Sequence, residues 1–310
     1  MALKFTGKSE RAPAWLDRNA YPFASHWFAQ PDGRMHYIDE GAGGTLLFVH
    51  GNPGWSFEFR RLIRHFAGEY RCIAIDHLGF GLSDKPRGVS YLPQFHAENF
   101  ARFVEALDLD EITLVVHDWG GPIALDWAVD HGDRIKRIIA CNSWFFDISD
   151  QPMLRRFSAI VGSRFGRWLV RRFNFFAGAL FKGSFGDRSR LTSDVHRQFR
   201  APFPTPDARE PTWIFPRAIL GENAWVSRIW PRREALSQVP VLLAWGMKDP
   251  GLTPLLSSWQ DAFPNNCTVV FNDVGHNVVE EAGQRLIAPM ADFLNGKERC
   301  DRISIVADGA

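Results

Sequence analysis

The run ITLVVH, Ile112 to His117, is apolar without alternation. A strand with one wet face alternates apolar and polar residues, so a continuous run belongs to a strand buried on both faces, as in a mostly parallel sheet covered by helices. TLLFVH, Thr45 to His50, has the same character. From Gly33 onward such runs alternate with helical patterns, the signature of an α/β fold with a mostly parallel, twisted sheet. The expected strands are Arg34–Ile38, Thr45–His50, Arg71–Asp76, Ile112–His117, Ile135–Cys141, Val239–Trp245 and Thr268–Asn272. Helices are expected over Gln94–Leu107, Pro122–Asp130 and Gln284–Leu294.

The alternation breaks between Phe146 and Ser237, where Arg, Phe and Trp recur at helical spacing and FPTP and REPTW mark loops. This predicts a helical cap, residues 146–237, inserted between two core segments, 21–145 and 238–296. Residues 1–20 and 297–310 are terminal extensions, and of these about Met1–Ala14 and Lys297–Ala310 have weak periodicity and are expected to be loosely ordered.

With 310 residues the chain can bury a large core. Lys plus Arg (36) nearly cancel Asp plus Glu (35), so the whole chain exerts no general pull on nucleic acid or anionic lipid. No apolar run is long enough to span a membrane, and the start MALKFTGKSERAPAW lacks a signal core, which points to the cytoplasm. Cys72, Cys141, Cys267 and Cys300 show neither CxxC spacing nor zinc-type histidine pairing, so reduced thiols are expected and no metal or cofactor is implied.

The strongest chemical signal is VVHDWGG, Val115 to Gly121, which joins a buried strand to a helix through a polar residue beside paired glycines. Such a junction is a nucleophile elbow. Esterases write it GxSxG; here Asp118 takes the serine position and Val116 replaces the first glycine. A carboxylate attacking an ester carbonyl gives only an anhydride, whereas attack on saturated carbon gives a stable alkyl ester. The competing reading of Asp118 as a helix N-cap weakens once two further segments are considered. WGMKDP puts Asp249 just past a strand, and DVGHNVVEE puts His276 in the loop after the last one. The order nucleophile, acid, histidine is that of α/β hydrolases.

The roles expected are Asp118 as nucleophile, His276 as the base that activates water, and Asp249 as the acid orienting the imidazole. In HGNPGWSFEFR, the loop after Thr45–His50, Asn52 offers a side-chain amide that can hold a departing anion together with the Trp119 indole N–H. The backbone amides of Asn52 and Trp119 are the expected oxyanion donors.

Taken together, His50-Gly51-Asn52-Pro53, His117-Asp118-Trp119-Gly120-Gly121, Trp245 to Asp249 and Gly275-His276 resemble the haloalkane dehalogenases, over about Tyr21 to Leu294. The resemblance implies an α/β-hydrolase fold, a small apolar substrate, and Asn52 with Trp119 as the halide pair. Relatives that place a Glu acid after the sixth strand would have it within IIACNSWFFD, where this chain offers Asn142, with Asp147 as the only nearby reserve. Asn52 with a late acid, YPFASHWF and NSWFF resemble the family's third subgroup, which is similar to the β-lactone decarboxylases of bacterial olefin synthesis. Gly54, where relatives often carry Thr, departs from the pattern.

Epoxide hydrolases share an aspartate nucleophile but activate the epoxide with cap tyrosines, and Tyr21, Tyr37, Tyr70 and Tyr91 all lie outside the cap. A catalytically silent binding protein of the same fold would be expected to have lost Asp118, Asp249 or His276. RRFSAIVGSRFGRWLVRRFNFF interleaves arginines with aromatics, a pattern seen in nucleic-acid or membrane contacts. It is read as an amphipathic cap helix whose apolar face roofs the site and whose arginines are solvated or meet another subunit, with a homo-oligomer contact expected over part of that surface.

Overall fold

The computed structural model describes residues 12–296 and 304–305. Its single sheet has nine strands: β1 His26–Gln30, β2 Gly33–Glu40, β3 Gly44–Val49, β4 Tyr70–Ile75, β5 Ile112–Asp118, β6 Ile135–Ser143, β7 Val241–Gly246, β8 Cys267–Phe271 and β9 Ser304–Ile305. They lie in the order β1-β2-β4-β3-β5-β6-β7-β8-β9. β1, β2 and β4 pair antiparallel, and every pair from β4–β3 to β8–β9 is parallel. The fold is therefore the mostly parallel α/β sheet expected, with an antiparallel edge.

β1 is absent from the expected strands. It pairs with β2 across Pro31-Asp32-Gly33, a turn whose chemistry was readable, whereas HWFAQ is short and only half-buried in pattern. At the other edge Ser304 and Ile305 pair with Val269 and Val270, so the tail is not uniformly loose. The remaining expected loose residues, 1–11 and most of 297–310, lie outside the described ones, as does Cys300. Cys72, Cys141 and Cys267 are buried and form no disulfide among the described residues.

Neighbouring residues of β3 and β5 point to opposite faces, and each face has its own core. Leu47, Val49, Leu114 and Val116 pack with Phe100 and Phe103 of the helix Pro93–Ala106 and Ile123 of the helix Gly120–Ala128. Leu46, Phe48 and Val115 pack with Leu62, Ile63, Met290 and Phe293 from the helices Arg60–Phe66 and Ile287–Leu294. The continuous apolar runs thus follow from helices on both faces. The C-terminal helical pattern begins with a 3-10 turn, Gly283–Leu286, before Ile287–Leu294.

Between β6 and β7 the chain is helical, with Pro152–Val161, Arg164–Phe173, Ser193–Arg200 and Glu210–Gly221 its longest helices. Two of them, Pro152–Val161 and Glu210–Gly221, contribute Leu154, Phe157 and Ile219 to a cavity also lined by Asp118, Trp144 and Asp249, at or just past the ends of β5, β6 and β7. Among the described residues no helix is long and apolar enough to cross a membrane.

Candidate active site

The elbow is tight because its neighbours leave no room. Asp118 ends β5 with φ of 52°, the left-handed region, at a cost of roughly 1–3 kcal/mol for a residue with a side chain. The register of β5 against β6 breaks between His117 and Asp118, and the Ser143 hydroxyl donates to the Asp118 carbonyl at 2.6 Å. A Cβ on Gly120 would lie 2.1 Å from the Val49 carbonyl oxygen, and one on Gly121 would lie 2.0 Å from the Ser143 hydroxyl. Val116 can stand where esterases carry glycine because it is a buried strand residue paired with Val49 and Ala140. The close approach falls instead on Gly51, whose Cβ would sit 2.1 Å from Asp118 Oδ1.

The two oxygens of Asp118 have different surroundings. Oδ1 accepts the Asn52 backbone N–H at 2.8 Å, while Oδ2 lies 3.4 Å from His276 Nε2. His276 Nδ1 is 2.8 Å from Asp249 Oδ2. Asp249 Oδ1 accepts the amides of Gly251 and Leu252 at 2.9 and 3.1 Å, and Oδ2 also accepts Asn142 Nδ2 at 3.1 Å. Burial pushes the Asp249 pKa up, but the charge of His276 and the hydrogen bonds from His276, Asn142 and Leu252 prevail and hold it below the ordinary value. Burial likewise opposes a charged His276. The charge of Asp249, together with the hydrogen bonds and charge supplied by both carboxylates, overrides it and raises its pKa to about 10.

The structure thus brings Asp118, His276, Asp249 and Asn52 together. Asp147 is apart from them: it is exposed, and its carboxylate accepts the Ser149 amide at 2.8 Å. Of the two expected backbone donors, that of Asn52 touches the Asp118 carboxylate, and Trp119 lines the same cavity.

Several residues around the triad carry no sequence signal of their role. Asn142, with φ of 33°, donates from Nδ2 to the Gly246 carbonyl at 3.2 Å and accepts the Gly246 amide at 2.7 Å. It therefore extends the β6–β7 ladder by a side chain and aims its amide at Asp249. His117 Nε2 donates to the His276 carbonyl at 3.0 Å, a role fixed because a carbonyl only accepts. Its Nδ1 meets the buried Glu58 at 3.1 Å. Gly54 makes space for that pair, since a Cβ there would lie 2.1 Å from Glu58 Oε2. Glu281 joins the His276 loop to the helical segment between β6 and β7. Its carboxylate accepts the amides of Gly275 at 2.8 Å, Gly186 at 2.9 Å and Asp187 at 2.7 Å.

Asp118, Trp119, Asn52 and His276 open on a cavity of about 350 Å³. Its walls are mainly apolar, from Trp144, Leu154, Phe157, Phe176, Phe185 and Ile219. Trp119 packs edge-on against Trp144 with ring centroids 4.9 Å apart, and no described residue takes its indole N–H. Asn52 Nδ2 donates to the Thr212 carbonyl at 3.1 Å, which uses one of its two hydrogens, and Oδ1 is buried without a partner among the described residues. None of the four tyrosines lines the cavity; Tyr91 donates to the Pro86 carbonyl at 2.6 Å.

Comparison with known proteins agrees with this geometry. Residues 44–283 match the family model for the alpha/beta hydrolase fold. The chain is 36% identical to haloalkane dehalogenase 2 of Mycobacterium tuberculosis, over 89% of this chain and 96% of that protein. It is 32% identical to the cis-3-alkyl-4-alkyloxetan-2-one decarboxylase of Shewanella oneidensis, over 89% and 90%. Among solved structures, the haloalkane dehalogenase DatA from Agrobacterium tumefaciens C58 superposes with a TM-score of 0.78 at 26% identity, covering 89% of this chain and 97% of DatA. The chain therefore belongs to the α/β-hydrolase fold family, in the branch shared by haloalkane dehalogenases and oxetan-2-one decarboxylases.

Proposed function

We propose that this hydrolase converts a haloalkane to an alcohol and a halide ion through an alkyl ester on Asp118. The observation that carries the reading is the divided environment of the carboxylate. One oxygen is fixed by the Asn52 amide, and the other faces His276 within an apolar cavity. Oδ2 attacks saturated carbon; the C–O bond forms as the carbon–halogen bond breaks, and the halide leaves with the electron pair. The Trp119 indole N–H and the remaining Asn52 amide hydrogen are the donors that receive it.

Esterification neutralises Asp118, and with it two of the influences that keep His276 protonated. The imidazole then releases its Nε2 proton to solvent and can accept one from the attacking water, with Asp249 holding the ring. Hydroxide adds to the ester carbonyl carbon, negative charge gathers on Oδ1, and the Asn52 backbone N–H stabilises it. Collapse releases the alcohol and restores the carboxylate. Residues 146–237 serve as the cap that keeps this chemistry dry.

A second reading is favoured by the likeness to the Shewanella oneidensis decarboxylase. In it Asp118 attacks the ring carbon bearing the β-lactone oxygen, the ring carboxylate leaves that carbon, and loss of carbon dioxide from the neighbouring carbon then expels the Asp118 carboxylate to give an alkene. A cavity of about 350 Å³ lies at the small end of the usual ~300–1,000 Å³ for ligand sites, which favours a short haloalkane over a lactone with two long chains.

The decisive experiment incubates the protein with 1-bromobutane and, separately, with a long-chain cis-β-lactone, measuring bromide and alkene. Bromide without alkene supports dehalogenation, and alkene without bromide supports decarboxylation. In His276→Phe we expect one equivalent of bromide and a butyl adduct on Asp118 in the intact mass. Absence of both bromide and alkene, with no adduct in that variant, would overturn the reading.

A further inference from the structure

The cap carries a surface that the reaction does not use. On the helix Arg164–Phe173, Phe165, Trp168 and Phe173 are 64%, 53% and 52% exposed, and Ile160 on the preceding helix is 66% exposed. The three rings form one cluster. Phe165 stacks on Trp168 with centroids 5.8 Å apart, and Phe173 meets Trp168 edge-on at 5.3 Å. Apolar side chains exposed singly need no explanation, but a contiguous group marks a contact surface.

Positive charge shares these two helices, and the Arg172 guanidinium lies 5.3 Å from the centre of the Phe173 ring. Arg155, Arg156, Arg164 and Arg172 are exposed and make no ion pair among the described residues. The carboxylates close by are already engaged: Arg167 and Arg171 hold Glu210 at 2.9 and 2.7 Å, and Arg171 also holds Asp207 at 2.6 Å. On a chain with a formal charge of only +1, this patch is a local excess rather than a general one.

We propose that the outer faces of the helices Pro152–Val161 and Arg164–Phe173 dock on an anionic lipid surface. The rings would enter the acyl boundary while the arginines meet the headgroups. Other occupants use the patch less well. A second copy seated face to face would set arginine against arginine, since a two-fold contact is self-complementary. Nucleic acid would use the rings and the charge but not aliphatic Ile160. A bilayer surface uses all of them. The helix Pro152–Val161 that presents Ile160 outward also sends Leu154 and Phe157 into the cavity wall. Docking would therefore set the roof of the cavity against the phase in which an apolar substrate accumulates.

Flotation of the full-length protein with vesicles tests this independently of the reaction. The chain should float with vesicles of equal parts phosphatidylcholine and phosphatidylglycerol at low ionic strength, and not with phosphatidylcholine alone. Salt at 1 M, where the Debye length is about 3 Å, should release it. Arg155→Gln or Arg164→Gln should each lower the partition about fivefold, and Trp168→Ser should abolish it. All three variants should keep the parent thermal midpoint, which separates docking from folding. No flotation with the anionic vesicles, or equal flotation with both kinds, would overturn the proposal. So would a dimer in light scattering that Trp168→Ser dissolves, or binding of a single-stranded oligonucleotide in place of vesicles.

Discussion

Under the proposed reaction, replacing Asp118 by Asn imitates the moment at which this side chain has become a neutral ester, and it should change His276 more than any other residue. His276 is held at about 10 by two carboxylates, one of which is Asp118 with Oδ2 3.4 Å from Nε2. At that separation and an effective dielectric of about 20, two unit charges interact by about 5 kcal/mol, equivalent to between about three and four pH units. Solvent reaching the cavity weakens the pairing, so we expect His276 in Asp118→Asn to titrate lower by about two pH units or more. The sign for stability follows. Because the folded value lies above the ordinary 6.5, protonated His276 stabilises the fold fully below pH 6.5, and the contribution is lost as pH rises towards 10. In Asp118→Asn that loss should occur at lower pH. Ring ¹⁵N shifts followed across pH, with His276→Phe identifying the signal among the ten histidines, provide the measurement. A ring that still titrates near 10 in Asp118→Asn would refute the argument that esterification releases the base.

Three further substitutions probe the support around the triad. Asn142→Ala removes the donor to Asp249 and the pairing with Gly246; we expect a loss of about 1–3 kcal/mol in denaturant unfolding and slower release of the alkyl ester than of bromide. Gly54→Thr would place Cβ against Glu58 and should destabilise by about 1–3 kcal/mol, with partial recovery in Gly54→Thr/Glu58→Ala, so equal midpoints for all three chains would remove the steric explanation. Glu281→Gln loses the charge that gathers three backbone amides and should cost about 1–3 kcal/mol, while hydrogen exchange at Gly186 and Asp187 speeds up; unchanged exchange would show that the cap junction is held elsewhere.

How far the sequence could be read follows from the range of the interactions involved. Strands such as β3 and β5 were legible because burial on both faces leaves a local mark, an unbroken apolar run. That Asp118, Asp249 and His276 would meet was legible because each follows a strand in an order tied to one topology. β1 was missed although QPDG announces its turn, because HWFAQ is too short for its periodicity to stand out. Asn142 was seen only as a missing acid. Its work, completing the β6–β7 ladder and presenting an amide to Asp249, depends on a partner 107 residues away. The link from Glu58 through His117 to His276, and the hold of Glu281 on the cap, are likewise made by residues that meet only after the sheet has formed.

The tie between Asn52 Nδ2 and the Thr212 carbonyl has a kinetic meaning under the proposed reaction. One amide group faces two customers, the product ion on one side and a main-chain oxygen of the helix Glu210–Gly221 on the other. Any rotation that lets the ion go also strains the link to that helix, so exit of product and loosening of the lid become parts of a single movement. Turnover would then be governed at this asparagine, at a step that comes after the bonds have already been remade.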